Sequence, residues 1–174
     1  MGREVRRVPK DWQHPTNEYG HFVPLFDGSR LEPRTKEWDE EAAQWANGFV
    51  RSYKEGVDWQ PRTESEYATK YETYAEYAGE RPDPADYMPA WAESERTHYM
   101  MYEDTTEGTP ISPAFETPEE LARWLTDNEA SSFGGMTASY EAWLRVCKGA
   151  WAPGMVVTQH PDGAATVQSG VEAL

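Results

Sequence analysis

A single cysteine, Cys147, excludes an intrachain disulfide. No apolar run reaches the roughly 20 residues needed to cross a bilayer. The basic start, Arg3–Lys10, is not followed by an apolar signal core. Gly2 is present, but Arg6 stands where a myristoylation pattern needs Ser or Thr. These absences predict a cytoplasmic protein. Cations are also scarce: 16 Lys and Arg face 31 Asp and Glu, a net charge of −15. Such a surface repels a phosphate backbone, so direct nucleic-acid binding is not expected. Aliphatic side chains are few as well, with a hydrophobic fraction of 38% and a mean hydropathy of −0.86. Those values alone suggest disorder.

What is present argues the other way. Eight Trp, ten Tyr and five Phe make the chain 13% aromatic. Each ring buries a large area, so rings can replace missing Leu, Ile and Val in a core. A length of 174 residues fits one domain with an ordered arm. Pro9, Pro15, Pro24 and Pro33 predict an extended arm over residues 1–34, packed on a single α+β domain over 35–174. Within the arm, His21–Gly28 reads as a short strand closed by an Asp-Gly turn.

The charge is unevenly spread. Residues 37–107 hold 18 acidic and 6 basic side chains, a net of −12. Residues 1–36 carry +2 and residues 108–174 carry −5.

Periodicity predicts about four helices and one or two small antiparallel hairpins around an aromatic-rich core. Trp38, Ala42, Trp45 and Phe49 share a helical face, starting after Thr35 and stopping at Asn47-Gly48. Thr63-Glu-Ser-Glu66 has the form of a capping box. It would open a second helix carrying Tyr67, Tyr71, Tyr74 and Tyr77 as far as Gly79. Thr97–Glu103 reads as a strand, Asp104–Gly108 as a turn, and Thr109–Ser112 as the returning strand. Thr117-Pro-Glu-Glu120 caps a third helix with Leu121, Trp124 and Leu125 inward. Thr137 would cap a fourth, with Tyr140, Trp143, Leu144 and Cys147 inward and Gly149 as its stop. Residues 155–168 read as a hairpin around Pro161-Asp162-Gly163.

The segment Gly108-Thr-Pro-Ile-Ser-Pro-Ala-Phe-Glu-Thr-Pro-Glu-Glu-Leu-Ala-Arg-Trp-Leu125, with the opening Gly2-Arg-Glu-Val-Arg-Arg-Val-Pro9, resembles a family of small proteins of tailed phages and prophages. The resemblance implies a viral origin and a bacterial host cytoplasm. It carries no catalytic residue over.

Tests for chemistry come back negative. His14, His21, His98 and His160 have no metal-ligand spacing between them. Gly134-Gly135 lacks the lysine and spacing of a phosphate loop, and Ser131-Ser132 lacks a nucleophile elbow. No catalytic residue, metal or cofactor is expected. The acidic aromatic stretch instead suggests a recognition face of Glu64, Glu66, Tyr67, Tyr71, Glu72, Tyr74, Glu76 and Tyr77. Its partner would be a basic host protein, of the kind that binds nucleic acid in defence against phage. The protein would then act as a nucleic-acid mimic, as a monomer or a dimer, away from membranes. The alternatives are an adaptor in phage particle assembly, docked through the arm, and a small enzyme without a recognisable motif.

Overall fold

The computed structural model describes residues 2–104, 108–149, 151–161 and 163–174. In chain order they form β1 (Arg3–Val8), α1 (Leu31–Ala46), β2 (Phe49–Arg51), β3 (Trp59–Pro61), α2 (Tyr74–Ala78), β4 (His98–Glu103), α3 (Pro118–Asp127), α4 (Tyr140–Gly149), β5 (Trp151–Ala152), β6 (Met155–Gln159), β7 (Ala165–Ser169) and α5 (Gly170–Ala173). The fold is α+β with small antiparallel sheets. It divides into two compact units, Met1–Phe26 with Pro89–Leu174, and Asp27–Met88. The division therefore falls elsewhere than the boundary expected at residues 34 and 35.

The first unit is built on a three-stranded antiparallel sheet in the order β4-β1-β5. The N-terminal segment supplies its central strand, with Arg3 opposite Glu103 and Val8 opposite His98. This position buries Arg3, Glu4 and Arg6, and a buried charge needs partners. Arg3 pairs with Glu103 at 3.1 Å and donates to the Ser131 carbonyl at 2.9 Å. Arg6 donates to Glu4 at 3.0 Å and to the Leu25 carbonyl at 2.6 Å, and its guanidinium lies 4.4 Å from the centre of the Tyr102 ring. Arg3 and Arg6 of the basic start are thus internal wiring. Residues 21–28 form no strand. Phe22 makes an isolated bridge to Thr16, and Asp27 caps a short 3-10 turn over Gly28–Arg30.

Helices α3 and α4 cover the sheet. Met101, Leu121, Leu125, Trp143, Val146, Cys147 and Val171 make the core, each within 3% of full burial. Every leucine so buried contributes about 1.5–3 kcal/mol. The α3 start is as read: Thr117 accepts from the Glu120 amide and Glu120 reaches back, with Pro118 in the first turn. The α4 cap is Ser139, not Thr137; its hydroxyl accepts from the Ala142 amide at 3.4 Å. Trp124, Tyr140 and Leu144 are only half-buried. Thr109–Ser112 runs beside β4 through isolated bridges, because Pro110 and Pro113 remove ladder donors. Residues 105–107 of the expected turn lie outside the described residues. The C-terminal hairpin forms, with Val157 opposite Val167; Asp162 at its turn lies outside the described residues.

The second unit packs α1, the β2–β3 hairpin and α2 around rings. Helix α1 starts at Leu31, five residues before the expected point, because Pro33 falls in the first turn, where no intrahelical donor is lost. Gly48, at φ 86°, follows its end. Trp45, Val50, Ala68 and Tyr74 form the buried centre, with Trp38, Tyr71 and Tyr77 against it.

The long second helix does not form. Residues 62–64 and 68–70 are 3-10 turns, and only Tyr74–Ala78 is α-helical. A continuous helix would need the carbonyls of Tyr71 and Glu72 as acceptors. Arg62 takes the first at 2.8 Å and the Trp45 indole N–H takes the second at 3.2 Å. The capping box is Thr73 with Glu76, one motif later than Thr63 with Glu66.

Candidate functional site

The eight residues of the expected recognition face do not act alike. Tyr74 is buried, and its hydroxyl donates to Glu41 at 2.5 Å. Burial, then the Glu41 carboxylate, holds that phenol protonated well above its ordinary range. Glu76 is consumed by the cap: its carboxylate accepts from the amides of Glu72 at 3.0 Å and Thr73 at 2.9 Å. Those amides hold the Glu76 carboxyl below the usual carboxylate range. Tyr74 and Glu76 are therefore corrected from partner contacts to framework.

The other six remain at the surface to different degrees. Glu64, Glu66 and Glu72 are exposed and make no ion pair among the described residues. Tyr67 is 69% exposed. Tyr71 and Tyr77 are half-buried, edge to face at 5.8 Å, and Tyr77 stacks on Trp45 at 4.9 Å. Burial, then Tyr53, Glu41 and Tyr71, raises the Tyr77 phenol above its ordinary value. Tyr53 is 92% exposed. No motif in the sequence marks residue 53.

The second unit carries 15 acidic and 8 basic side chains, a net of −7 over 62 residues. Several carboxylates are neutralised. Asp39 accepts both nitrogens of Arg81 at 2.8 and 2.9 Å, Arg51 pairs with Glu41 at 3.0 Å, and Lys36 faces Glu40 at 3.8 Å. The unit also stacks its own cations on rings. Arg62 lies 3.7 Å from the centre of Trp45, Arg51 4.7 Å from Trp59, and Lys70 4.8 Å from Tyr67. Proteins average roughly one significant contact of this kind per 70–80 residues. The unit has three in 62 residues: the Trp45 stack lies in the core, while those at half-buried Trp59 and exposed Tyr67 lie at the surface.

The first unit offers a different feature. A cavity of about 510 Å³ is walled by Trp12, Phe22, Met100, Ile111 and Trp124, with Lys10 and Gln13 also on it. His14 also lines it, bonded on both ring nitrogens: Nε2 to the Val23 carbonyl at 2.7 Å, Nδ1 to the Tyr102 hydroxyl at 3.2 Å. Trp12 donates to the same hydroxyl at 3.0 Å. Ser112 is likewise satisfied, accepting from the Met101 amide and donating to the Pro113 carbonyl. Of the lining polar groups, those of Trp12, His14 and Ser112 serve the fold rather than the space.

Among the described residues, no group of three His, Cys, Asp or Glu is arranged to hold a metal ion, and no helix is long and apolar enough to cross a membrane. Burial, with the nearby Glu119 charge, pushes the Cys147 thiol up to about 12, which suits a packed side chain rather than a nucleophile. The chain matches no protein-family model, no curated protein and no solved structure.

Proposed function

We propose that the second unit is a recognition module for a basic protein surface, with Tyr53, Tyr67, Tyr71 and Tyr77 as ring contacts and Glu64, Glu66 and Glu72 as the charges that draw the partner in. The observation that carries this reading is the density of cations stacked on rings within the unit itself. Exposed phenols give rigid contact area at small entropic cost, and unpaired carboxylates speed encounter with a cation-rich partner. In a phage setting, the partner class is a host protein that binds nucleic acid for defence, met in the host cytoplasm and blocked by mimicry of the polyanion.

The test is capture of basic proteins from bacterial lysate at low and high salt, comparing the native chain with Glu64→Lys, Glu66→Lys and Glu72→Lys combined. Glu76 is left untouched, because its reversal would break the α2 cap. A defined nucleic-acid-binding protein should be retained at low salt, lost at high salt, and lost from the triple variant. Capture of the same protein with the same salt dependence by both chains would sink the reading.

A further inference from the structure

Among the described residues, strands β6 and β7 pair only with each other, so both outer edges of the ribbon are open there. Side chains alternate between its faces. One face carries Met155, Val157, Ala165 and Val167, all exposed, with exposed Gln159 beside Ala165 and buried Ser169 beside Met155; Met155 and Val167 are each 49% exposed and Val157 is 53%. The other face carries Thr158, Thr166 and Gln168, with Val156 half-buried. Thr158, Thr166 and Gln168 are exposed as well, so the ribbon shows both faces to solvent and its apolar face is uncovered.

The ribbon is not a loose tail. Ser169 and Gly170 at its root are buried, and Val171 sits in the core of the first unit. A side chain at Gly170 would meet the Pro153 carbonyl oxygen at 2.1 Å, so root and neighbour are in close contact. The Gly170 amide donates to the Gly154 carbonyl at 2.9 Å. Glu172 accepts from the Ser139 amide at 3.0 Å, tying the root to the start of α4. A rooted ribbon presents its apolar face in a fixed direction. An isolated two-stranded ribbon is marginal in water and gains most from being covered.

Charge decides what covers it. Residues 155–169 contain one formal charge, Asp162, in a chain that is 27% charged and carries −15. A basic protein finds no anionic anchor on this face, and an anionic membrane is repelled by the rest of the chain. A second copy is repelled everywhere except through a neutral patch. Five-residue strands reach about 17 Å, roughly twice the screening length of physiological salt, so body charges are largely screened where two ribbons meet.

We propose that this apolar face is a self-association surface, seated against the same face of a second copy about a twofold axis. The inference stands apart from the reading of the second unit. Four side chains from each copy make a contact smaller than the roughly 800 Å² per partner of a standard interface, so the dimer is weak and concentration-dependent. Its strength rises with salt, because salt screens the repulsion between like-charged bodies.

The experiment is sedimentation velocity across a wide concentration range at low and high sodium chloride. The native chain should move from the 19.9 kDa monomer toward twice that mass, more readily at high salt. Val157→Glu with Val167→Glu should weaken association by more than about tenfold, since like charges then face each other across the axis. Both positions are exposed in the single chain, so far-UV circular dichroism and the melting temperature should stay native. Thr158→Lys with Gln168→Lys, on the opposite face, should leave association intact. A native chain that stays monomeric throughout, a dimer that weakens with salt, or a valine variant that associates like the native chain would each overturn the proposal.

Discussion

The Tyr74 hydroxyl donates to one oxygen of Glu41 at 2.5 Å, while Arg51 Nε donates to the other at 3.0 Å. One carboxylate therefore joins α2, α1 and the β2 strand. Tyr74→Phe removes a hydrogen bond to a charged group, worth about 1.5–3 kcal/mol, and leaves the Arg51 contact in place. The second unit should lose stability by that order in urea melts. Alkali gives a separate test. Below pH of about 10 the Tyr74 phenol is protonated in both folded and unfolded chains. Above it the unfolded chain loses the proton and the folded chain keeps it, so stability falls as pH rises. The native chain should lose stability above that point more steeply than Tyr74→Phe. Equal slopes would remove Tyr74 from the account.

The Thr73–Glu76 box predicts a local effect at the other end of the pH scale. Thr73→Ala removes the acceptor of the Glu76 amide and should cost about 1 kcal/mol. The Glu76 carboxyl is held low chiefly by the Thr73 amide, then by the Glu72 amide. Its contribution is present above the unfolded value, near 4.3, and is lost as pH falls through the lower folded value. Carbon-13 titration of the Glu76 carboxyl should show a depressed midpoint in the native chain. Thr73→Ala should move it upward as the turn frays, and an unmoved midpoint would show that the box does not set the charge.

How much of this was legible in the sequence depends on whether a signal was local. The α3 start was, because Thr117, Pro118 and Glu120 satisfy one another within four residues. So was β4, an apolar run with its register partner supplied elsewhere. The Thr63–Gly79 helix was misread for a tertiary reason: Arg62 and Trp45 hold the carbonyls of Tyr71 and Glu72. The capping motif at Thr63 was a genuine pattern match with no helix behind it. The buried role of Arg3 and Arg6 was also hidden, because a basic terminus and a central strand with internal ion pairs read alike. Of the recognition face, the exposed glutamates were legible; the burial of Tyr74 and the exposure of Tyr53 were decided by packing.

Cys147 should behave as an inert core atom. Its side chain is 3% exposed, and burial pushes the thiol up to about 12. At pH 8 almost no thiolate exists in the folded chain, so a disulfide reagent should react only through opening of the first unit. The labelling rate should therefore track urea in step with the loss of tertiary signal. Fast labelling in native buffer, at the rate of a free thiol, would place Cys147 outside the α3–α4 core.

The His14 bonds make the first unit sensitive to mild acid. Burial lowers the His14 pKa, the Arg6 charge lowers it further, and the Val23 carbonyl opposes them. With Nε2 donating to Val23, Nδ1 is left to accept the Tyr102 hydroxyl proton. Protonating Nδ1 would put a second charge in a buried site beside the Arg6 guanidinium and turn the Tyr102 hydroxyl proton onto Met100 Sδ, 3.4 Å away. Between pH 7 and the unfolded value near 6.5 the contribution is intact. Below it the unfolded chain takes up a proton that the folded chain refuses, and stability falls until the lower folded value is passed. His14→Phe should cost about 1–3 kcal/mol at pH 7, because the Val23 carbonyl loses its partner. It should also flatten the dependence of stability on pH between 7 and 5, measured by urea titration at each pH. A variant as acid-sensitive as the native chain would assign that sensitivity to the carboxylates instead.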